Sequence, residues 1–379
     1  MTQRSWVTPS RWTALGLLCL VAFAPACSHT DPFTNPSTGE EPFDPGPPAR
    51  LTLNPAHDGN PSWLADGSGI LYSAQQGDRI DDDVCLAQLP PTGGQQRLLV
   101  CDIPGDSNTT DAAQSAAASP DGRIALLSAG NGSLGGSSPV FLGIALIRTL
   151  DGLDAERVRS LPFTPAGGTA RQDYAGYVRW LTTDALVYVG QRFVTRSPCF
   201  DCPLDTLLIG TEVTTLGTDG AGTATAVPGT ELATGVAPVL EGTAILYTLP
   251  NDTRIYQRVL ASGAVTVAHD FGAAGVARDV NAAGNRLTAI VGGRVAFSVD
   301  PRAGPVQWDS GGVVHVVELG ETGSVALDTP GRLYRRPALS PDGTRVVAEG
   351  YPVIVTVIGP GDADTTVGKS GDLYLFGGE

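Results

Sequence analysis

Short apolar strands separated by tight turns are the dominant pattern along this chain. Residues 61–73 read PSWLADGSGILYS, in which an apolar stretch leads to Asp66-Gly67 and a second stretch with alternating apolar residues follows. Asp-Gly between two such stretches is typical of a two-residue β-turn, because glycine readily adopts positive φ. The pattern therefore predicts a β-hairpin.

The same hairpin pattern recurs through the sequence. Residues 117–128 (AASPDGRIALLS) and 337–348 (PALSPDGTRVVA) are strong copies, and residues 178–190, 237–249 and 277–290 are weaker ones. The turns of these repeats fall near Gly67, Gly122, Asp184, Gly242, Gly284 and Gly343. Self-similarity at intervals of tens of residues indicates a fold built from repeated units.

Each hairpin is followed by one or two further predicted strands. Four strands per unit in a radial array predict an all-β fold, a six-bladed β-propeller covering residues 49–379. Five or seven blades remain alternatives, because residues 294–330 could hold an additional set of strands. We expect the strand at 49–53 to pair with the last strand, at 372–376, and so to close the ring without a free edge.

Three of the repeats carry a resemblance to a known family. PSWLADGSGILYS, AASPDGRIALLS and PALSPDGTRVVAEG resemble the P-x-W-S-P-D-G repeat of TolB-type, WD-repeat-like propellers. The resemblance implies a propeller fold, but this repeat indicates a fold better than a function. No α/β domain precedes the first repeat, so we expect a relative rather than TolB itself.

The repeats also assign structural roles to individual residues. Trp63 and Trp180 each lie two residues into a repeat, and we expect both to pack between adjacent blades. The turn positions with a structural role are Asp66, Gly67, Asp121, Gly122, Asp342 and Gly343.

The first 26 residues have the pattern of an export signal. Arg4 and Arg11 precede an apolar run at 12–23, which is too short for a permanent membrane span of about 20 residues. The following Ala-Pro-Ala-Cys resembles a bacterial lipoprotein box, which implies cleavage after residue 26 and acylation of Cys27. The alternative is an ordinary signal peptide with an incidental cysteine.

Residues 27–48 are polar and rich in proline, which is typical of an extended tether. By analogy with lipoprotein sorting, Ser28 favours the outer membrane. The expected location is therefore the cell envelope, with the protein lipid-anchored on the periplasmic side or at the cell surface.

The net charge of −15 disfavours nucleic-acid partners, because an acidic surface repels phosphate backbones. The apolar content of 42% is sufficient for a packed core. Six cysteines are present, of which Cys19 leaves with the signal and Cys27 is the predicted lipidation site.

The remaining four cysteines form two pairs. Cys85 and Cys101 are symmetric about Gly93, so a hairpin with its turn there places them opposite each other and predicts a disulfide in an oxidising compartment. Cys199 and Cys202 lie in a proline-flanked loop. A zinc site, a redox centre and a small structural disulfide are the alternatives there, and the disulfide is favoured because further ligands and a flanking helix are missing.

Candidate chemistry is sparse. His57 and Asp58 precede the first hairpin, where propeller loops reach the central channel, and they are tentative channel-mouth residues. A hydrogen-bonded loop histidine is the alternative. The sequence contains no nucleophile elbow and no paired-histidine metal motif, so we assign no catalytic residue, no metal site and no cofactor.

Three functions remain open. The favoured one is a non-catalytic binding scaffold, expected to be monomeric, for an envelope protein, peptide or glycan. The second is a hydrolase or lyase that uses carboxylates around the channel to act on a glycan or a peptide, because such residues come from separate loops that spacing cannot reveal. The third is a purely structural envelope component, and the sequence leaves enzymatic activity undecided.

Overall fold

The computed structural model describes residues 48–53, 56–76, 84–101, 111–130, 142–147, 155–161, 171–196, 205–218, 224–292, 295–300, 304–309, 311–359, 362–367 and 371–377. Within these ranges nearly all regular structure is β-strand, and the two helices, Leu240–Gly242 and Gly272–Ala274, are short 3-10 turns. None of the described helices is long and apolar enough to cross a membrane. The predicted all-β class is confirmed.

The strands are numbered in chain order. The first group is β1 (Ala49–Arg50), β2 (Asp58–Trp63), β3 (Ile70–Gln75), β4 (Val84–Leu89), β5 (Arg97–Val100), β6 (Asp111–Ala118), β7 (Ile124–Gly130), β8 (Leu142–Ile147) and β9 (Ala155–Leu161). The second is β10 (Arg171–Thr182), β11 (Ala185–Arg196), β12 (Asp205–Gly217), β13 (Ala224–Ala226), β14 (Gly235–Val239), β15 (Ala244–Thr248), β16 (Arg254–Val259), β17 (Val265–Asp270) and β18 (Ala277–Ala283). The third is β19 (Arg286–Val291), β20 (Val295–Asp300), β21 (Gly304–Asp309), β22 (Val313–Glu318), β23 (Val325–Leu327), β24 (Arg332–Leu339), β25 (Val346–Gly359), β26 (Asp362–Val367) and β27 (Asp372–Phe376).

These strands form a β-propeller of antiparallel sheets. Five sheets have four strands each: sheet 1 (β2-β3-β4-β5), sheet 2 (β6-β7-β8-β9), sheet 3 (β10-β11-β12-β13), sheet 4 (β14-β15-β16-β17) and sheet 5 (β18-β19-β22-β23). A further sheet has the order β1-β27-β25-β24, with β26 also paired to β25, and we call it the closing sheet.

The predicted number of six four-stranded blades is wrong, because this topology contains five. The closing sheet differs from the others because it has five strands and combines the first described strand with the last. Within the stretch considered for an additional blade, β20 and β21 form a separate two-stranded hairpin inserted between β19 and β22. Each of the six sequence turns nevertheless lies between two consecutive antiparallel strands of a different sheet.

Hydrophobic cores lie between neighbouring sheets, which explains why the strands are apolar on both faces. In sheet 1, for example, Leu71 belongs to the core shared with sheet 2, whereas Ile70 and Tyr72 belong to the core shared with the closing sheet. Successive residues of a strand point to opposite faces, so both faces are buried. Similar cores join sheets 2 to 3, 3 to 4, 4 to 5, and sheet 5 to the closing sheet.

In sheets 1 to 5 the first strand is the innermost one, and in the closing sheet the innermost strand is β24. β2, β6, β10, β14, β18 and β24 each contact the next in this order, and β24 contacts β2. The hairpin turn after each of these strands lies on one side of the propeller, which we call the turn face. In the turns, Gly67, Gly122 and Gly343 have φ of 72°, 87° and 71°, where a side chain would be strained.

Two tryptophans connect neighbouring sheets. The indole Nε1 of Trp63 donates a hydrogen bond to the carbonyl oxygen of Ala338 in the closing sheet (3.0 Å), and that of Trp180 donates to the carbonyl oxygen of Ala117 in sheet 2 (2.8 Å). Both side chains are buried. The predicted role of Trp63 and Trp180 between adjacent sheets is confirmed.

Arginines near the turns add a second contact between sheets. Arg345 of the closing sheet covers the ring of Trp63 (4.7 Å to the centroid), and Arg123 of sheet 2 covers the ring of Trp180 (4.9 Å). A guanidinium over an indole face is an attractive cation–π contact. The junction between the closing sheet and sheet 1 therefore has the same construction as the junction between sheets 2 and 3.

The closing sheet joins the two ends of the described chain. Ala49 pairs with Leu375, and the N–H of Leu51 donates to the carbonyl oxygen of Leu373 (2.7 Å). Because Leu375 also pairs with Val347, which lies close to the turn after β24, Ala49 enters the propeller from the turn face.

Cys85 and Cys101 form a disulfide, as the sequence symmetry predicts. Cys85 lies on β4, and Cys101 directly follows β5, the neighbouring strand of sheet 1. Cys27, Cys199 and Cys202 lie outside the described residues, so the lipidation site and the second disulfide remain predictions.

Replacing both Cys85 and Cys101 with alanine is expected to lower the free energy of unfolding by about 3 kcal/mol, because a crosslink over about 15 residues restricts the unfolded chain. Urea unfolding of the variant and of the wild type measures this difference. The substitutions are preferable to a reductant, because a reductant would also break any bond between Cys199 and Cys202. A variant as stable as the oxidised wild type would contradict this assignment of stability to the crosslink.

Candidate functional site

A cavity of about 230 Å³ opens at the centre of the turn face. Each of the six innermost strands contributes residues to it. At corresponding positions these are Ser62, Ala117, Arg179, Pro238, Asn281 and Ala338. We call this space the turn-face cavity.

Two grooves extend from the turn-face cavity between the sheets. The larger, of about 370 Å³, shares Trp180, Pro238 and Ala282 with the cavity and runs toward Glu241 between sheets 3, 4 and 5. The smaller, of about 180 Å³, lies between sheets 1 and 2 and shares Pro120 with the cavity. The cavity and the grooves therefore form one continuous depression.

The walls of the turn-face cavity are largely apolar. Among the described residues that line it, Arg179 is the single charged one, and Ser62 and Asn281 are the two neutral polar ones. Ser62 is only 7% exposed, and its Oγ has no hydrogen-bond partner among the described residues. Asn281 is 9% exposed, and its Oδ1 accepts the main-chain N–H of Leu339 (3.0 Å), which leaves the amide nitrogen as a donor.

A second polar group lies where β2 of sheet 1 meets the closing sheet. It consists of His57, Asn60, Arg336, Glu349 and Tyr351, and we call it the seam cluster. The Glu349 side chain is fully buried. Its Oε1 accepts hydrogen bonds from the main-chain N–H of Asn60 and from Nη1 of Arg336 (3.1 Å), and its Oε2 accepts the hydroxyl of Tyr351 (2.8 Å).

These contacts keep the Glu349 carboxyl ionised. Burial raises the pKa of this carboxyl, but the Arg336 charge and the hydrogen bonds from Asn60 and Tyr351 outweigh burial, so the pKa lies below its ordinary value. Burial, together with the Glu349 charge, raises the pKa of the Tyr351 phenol far above its ordinary value. Tyr351 therefore remains a donor to the carboxylate.

His57 completes the seam cluster as a neutral ring. Its Nδ1 accepts the main-chain N–H of Gly371 (3.2 Å), so this nitrogen carries no proton. Burial lowers the pKa of His57, and the charges of Arg336 and Arg335 lower it further, against the opposing effect of Glu349. Space is tight here, because a Cβ placed on Gly59 would lie 2.7 Å from the His57 Nε2.

Irregular backbone positions supply the contacts of this region. Asn60, Asp279 and Arg336 have φ of 52°, 53° and 48°, and each lies at a register shift on an innermost strand. A bulge of this kind redirects main-chain N–H groups. The N–H of Arg336 thereby reaches Oδ2 of Asp279 (3.1 Å), as that of Asn60 reaches Glu349.

The two tentative channel-mouth residues lie away from the turn-face cavity. His57 belongs to the seam cluster, and the adjacent Asp58 is fully buried on β2. Neither lines the cavity. Sequence reasoning missed Glu349 and Arg336, because nothing local in the sequence links them to residues near position 60.

The arrangement indicates different roles for the two regions. Three protein donors already occupy the Glu349 carboxylate, so the seam cluster holds two parts of the chain together. Within the described residues, no group of three or more histidine, cysteine, aspartate or glutamate side chains could hold a metal ion. The turn-face cavity is the region with space and with unused hydrogen-bonding groups.

Comparisons with known proteins support the fold. No family model matches the sequence, and no curated protein matches it. Among solved structures, the chain is similar to a gluconolactonase from Xanthomonas campestris (TM-score 0.53, 15% identity, 87% of this chain and 89% of that chain). It is also similar to TolB from Acinetobacter baumannii (0.44, 13%, 86% and 64%) and to regucalcin, a calcium-binding protein from Agrobacterium tumefaciens (0.49, 12%, 86% and 92%). At 15% identity, the similarity to the gluconolactonase structure concerns the β-propeller fold alone.

The composition of the seam cluster leads us to expect a lower free energy of unfolding at acidic pH. The pKa of His57 in the folded protein lies below its ordinary value of 6.5. The neutral ring therefore contributes fully to the free energy of unfolding above pH 6.5, and this contribution is lost as the pH falls below that value. We expect the free energy of unfolding to decrease between pH 7.5 and pH 5.5. In His57→Asn the amide oxygen can take the place of Nδ1 without titrating, so the decrease should be smaller.

Urea unfolding at a series of pH values measures this effect. Burial also lowers the pKa of His315, so His57→Asn should remove only part of the decrease. His315→Asn is the matched control, and the double variant should show the flattest profile. An unchanged pH profile in His57→Asn would contradict the assignment.

Proposed function

We propose that the protein is a lipid-anchored envelope β-propeller that binds a protein or peptide partner on its turn face and does not catalyse a reaction. The observation that carries this proposal is the continuous depression formed by the turn-face cavity and its two grooves. Its apolar walls offer contact area, and its few polar groups offer orientation, which is the usual composition of a binding site.

A complete ring would give this face its rigidity. In our proposal, the closing sheet, completed by β1, closes the ring between sheet 5 and sheet 1. Support comes from the pairing of β1 with β27 and from the core that Trp63, Tyr72 and Leu375 share between this sheet and sheet 1. Each inner strand would then have two neighbours, and the cavity would be enclosed on all sides.

The proposed anchor also gives the turn face an orientation. Ala49 enters the propeller on this face, so a tether over residues 27–48 that begins at a lipidated Cys27 would join the propeller there. The partner would then bind on the side from which the anchor leaves. An outer-membrane location remains part of the proposal.

The hydrolase or lyase alternative would place its chemistry at the other polar region. The seam cluster contains a buried carboxylate and a neutral histidine, a combination used in acid–base catalysis. Its Glu349, however, is held by Asn60, Arg336 and Tyr351. This arrangement favours a structural role for the seam cluster and, with it, the binding function.

Filling the depression should abolish partner capture. Ala282 lines both the turn-face cavity and the larger groove, so Ala282→Trp is expected to block binding. Val267→Trp, at an exposed position of the outermost strand of sheet 4, is the control. Tagged proteins are used to capture partners from solubilised membranes, with the tag in the exposed turn at Asn251 because both described ends lie on the turn face.

The wild type and Val267→Trp are expected to retain the same partner, and Ala282→Trp to lose it. Equal capture by all three proteins would contradict binding at the turn face. Cleavage of envelope peptide or glycan that is lost in Glu349→Gln would instead support the hydrolase alternative.

The lipid anchor is tested separately. Cys27→Ser is expected to abolish incorporation of a labelled fatty acid and to release the protein from the membrane fraction, because the acyl chains attach at this residue. Cys19→Ser is the matched control and should remain labelled and membrane-bound. A wild-type protein without label would contradict the lipoprotein assignment.

A further inference from the structure

We propose that the larger groove of the turn face binds a basic side chain, lysine or arginine, of a peptide segment, and that Glu241 recognises its charge. The apolar stem of that side chain would lie against the walls of the groove. This inference rests on the proposed binding function and adds to it a charge preference and a residue that sets it.

The hairpin turn of sheet 4 departs from the repeat at the residues that engage the carboxylate elsewhere. Residues 340–343 of the closing sheet read SPDG, and residues 239–242 at the corresponding place in sheet 4 read VLEG. In the closing sheet the Asp342 carboxylate accepts the Ser340 hydroxyl. Sheet 4 has no hydroxyl at Val239, and glutamate is one methylene longer than aspartate. The turn of sheet 4 therefore lacks the contact that engages the carboxylate in the closing sheet.

The Glu241 carboxylate is accordingly available to a ligand. Its side chain is exposed, and within the part of the chain that the structure describes it has no hydrogen-bond or ion-pair partner. It is also the single charged residue among the described ones that line the larger groove. The smaller groove has an acidic residue as well, Asp66, but the main-chain N–H and the hydroxyl of Ser68 already donate to its Oδ1 (3.0 and 2.7 Å). The larger groove is thus the one that is equipped to attract a cation.

The turn places Glu241 on a fixed backbone. Leu240, Glu241 and Gly242 have φ of 51°, 53° and 82°, a conformation that is costly for the two residues with side chains. Thr243 stabilises it, because its main-chain N–H and its hydroxyl both donate to the carbonyl oxygen of Leu240 (3.1 and 2.8 Å). A Cβ at Gly242 would lie 2.0 Å from the carbonyl oxygen of Leu181, so sheet 3 packs directly against the turn. The backbone at Glu241 therefore loses little freedom when a ligand binds, which favours affinity.

The walls of the groove suit the stem of a basic side chain. Trp180, Pro238 and Ala282 line the groove, and the side chain of Leu240 at its edge is 58% exposed. Lysine and arginine bury their methylene groups on apolar surface and keep the charged end at a polar group. The groove volume of about 370 Å³ lies within the range of about 300–1,000 Å³ that is typical of ligand sites. The groove can therefore hold such a side chain and part of the residues beside it.

Charge complementarity makes a basic segment the favoured occupant. The net charge of −15 attracts cationic segments to the protein from a distance. Close to the groove, a carboxylate beside apolar surface attracts a positive charge more strongly than one in open water does. An acidic segment would be repelled both by Glu241 and by the protein as a whole.

The test uses two matched mixtures of random hexapeptides with acetylated N-termini and amidated C-termini, one with lysine and the other with uncharged norleucine at the fourth position. Peptides of the lysine mixture that the immobilised propeller retains are identified by mass spectrometry and resynthesised with lysine, arginine or norleucine. Their affinities are measured by calorimetry and by the fluorescence of Trp180, which lines the groove. We expect the lysine and arginine forms to bind about tenfold more tightly than the norleucine form, the effect of one charge-assisted hydrogen bond. Added salt should reduce this preference.

Three variants examine the assignment. Glu241→Gln should give the lysine and norleucine forms similar affinities and leave the affinity of the norleucine form unchanged, because only the charge is lost. Glu231→Gln is the matched control, at an exposed glutamate between β13 and β14 that lines neither the cavity nor the grooves, and it should keep the wild-type preference. Leu240→Asn should weaken binding of all forms without lowering the melting temperature, because asparagine tolerates positive φ.

The outcomes separate this proposal from the proposed function. Equal affinities of the lysine and norleucine forms would overturn recognition of a basic side chain and leave turn-face binding intact. A preference for lysine that persists in Glu241→Gln would overturn the role of Glu241. Equally tight binding of lysine amide or of spermidine would overturn the peptide part. Retention of no peptide would also overturn the proposal, whereas the capture experiment with Ala282→Trp decides independently whether the turn face binds a partner.

Discussion

The packing of the closing sheet against sheet 1 is the contact on which the rest of the structure depends. Every other sheet is made from a continuous segment of chain, but this junction joins residues near 60 to residues near 350 and 373. Glu349 is buried there as a charge, and its hydrogen bonds to Asn60, Arg336 and Tyr351 satisfy it. A buried carboxylate needs such partners, and their geometry leaves few alternative positions for the two strands. The seam cluster therefore fixes the register of the junction more narrowly than apolar packing alone would.

The same physical arrangement recurs at other junctions with different residues. Trp63 and Trp180 each insert between two sheets and bond to a main-chain oxygen of the sheet before. An arginine near the hairpin turn of that sheet then covers the indole ring. Because these contacts lie next to the turn-face cavity, the residues that hold the sheets together also shape its walls. A substitution of one of these side chains would therefore change both the stability of the propeller and the shape of the cavity.

The sequence predicts the repeat well because its signal is local. Asp66-Gly67, Asp121-Gly122 and Asp342-Gly343 are adjacent in the chain, and positive φ at the glycine is needed whatever surrounds the turn. The Cys85–Cys101 disulfide is also predictable from the sequence, since one hairpin brings the two cysteines together.

The partners of Glu349 cannot be predicted from the sequence, because they depend on how distant strands pack. The cavity residues Ser62 and Arg179 could have been found by aligning the repeats, since each directly precedes the tryptophan of its repeat; the identity of the groups facing them from other sheets requires the fold. The number of regular blades was overestimated because the closing sheet repeats the turn motif but takes β1 from the other end of the chain.

The join between the two ends has a consequence for how this protein reaches its folded state. The N–H of Leu373 donates to the Thr52 hydroxyl across 321 residues of sequence, and Leu51 bonds to the carbonyl oxygen of Leu373. Contacts of such long range form late, because a long loop must close before they are gained. The apolar faces of β2 and β3 that meet the closing sheet stay uncovered until residues 338–375 have been synthesised. Until then this surface must be protected from other chains, so residues 338–375 determine when the molecule stops being prone to aggregation.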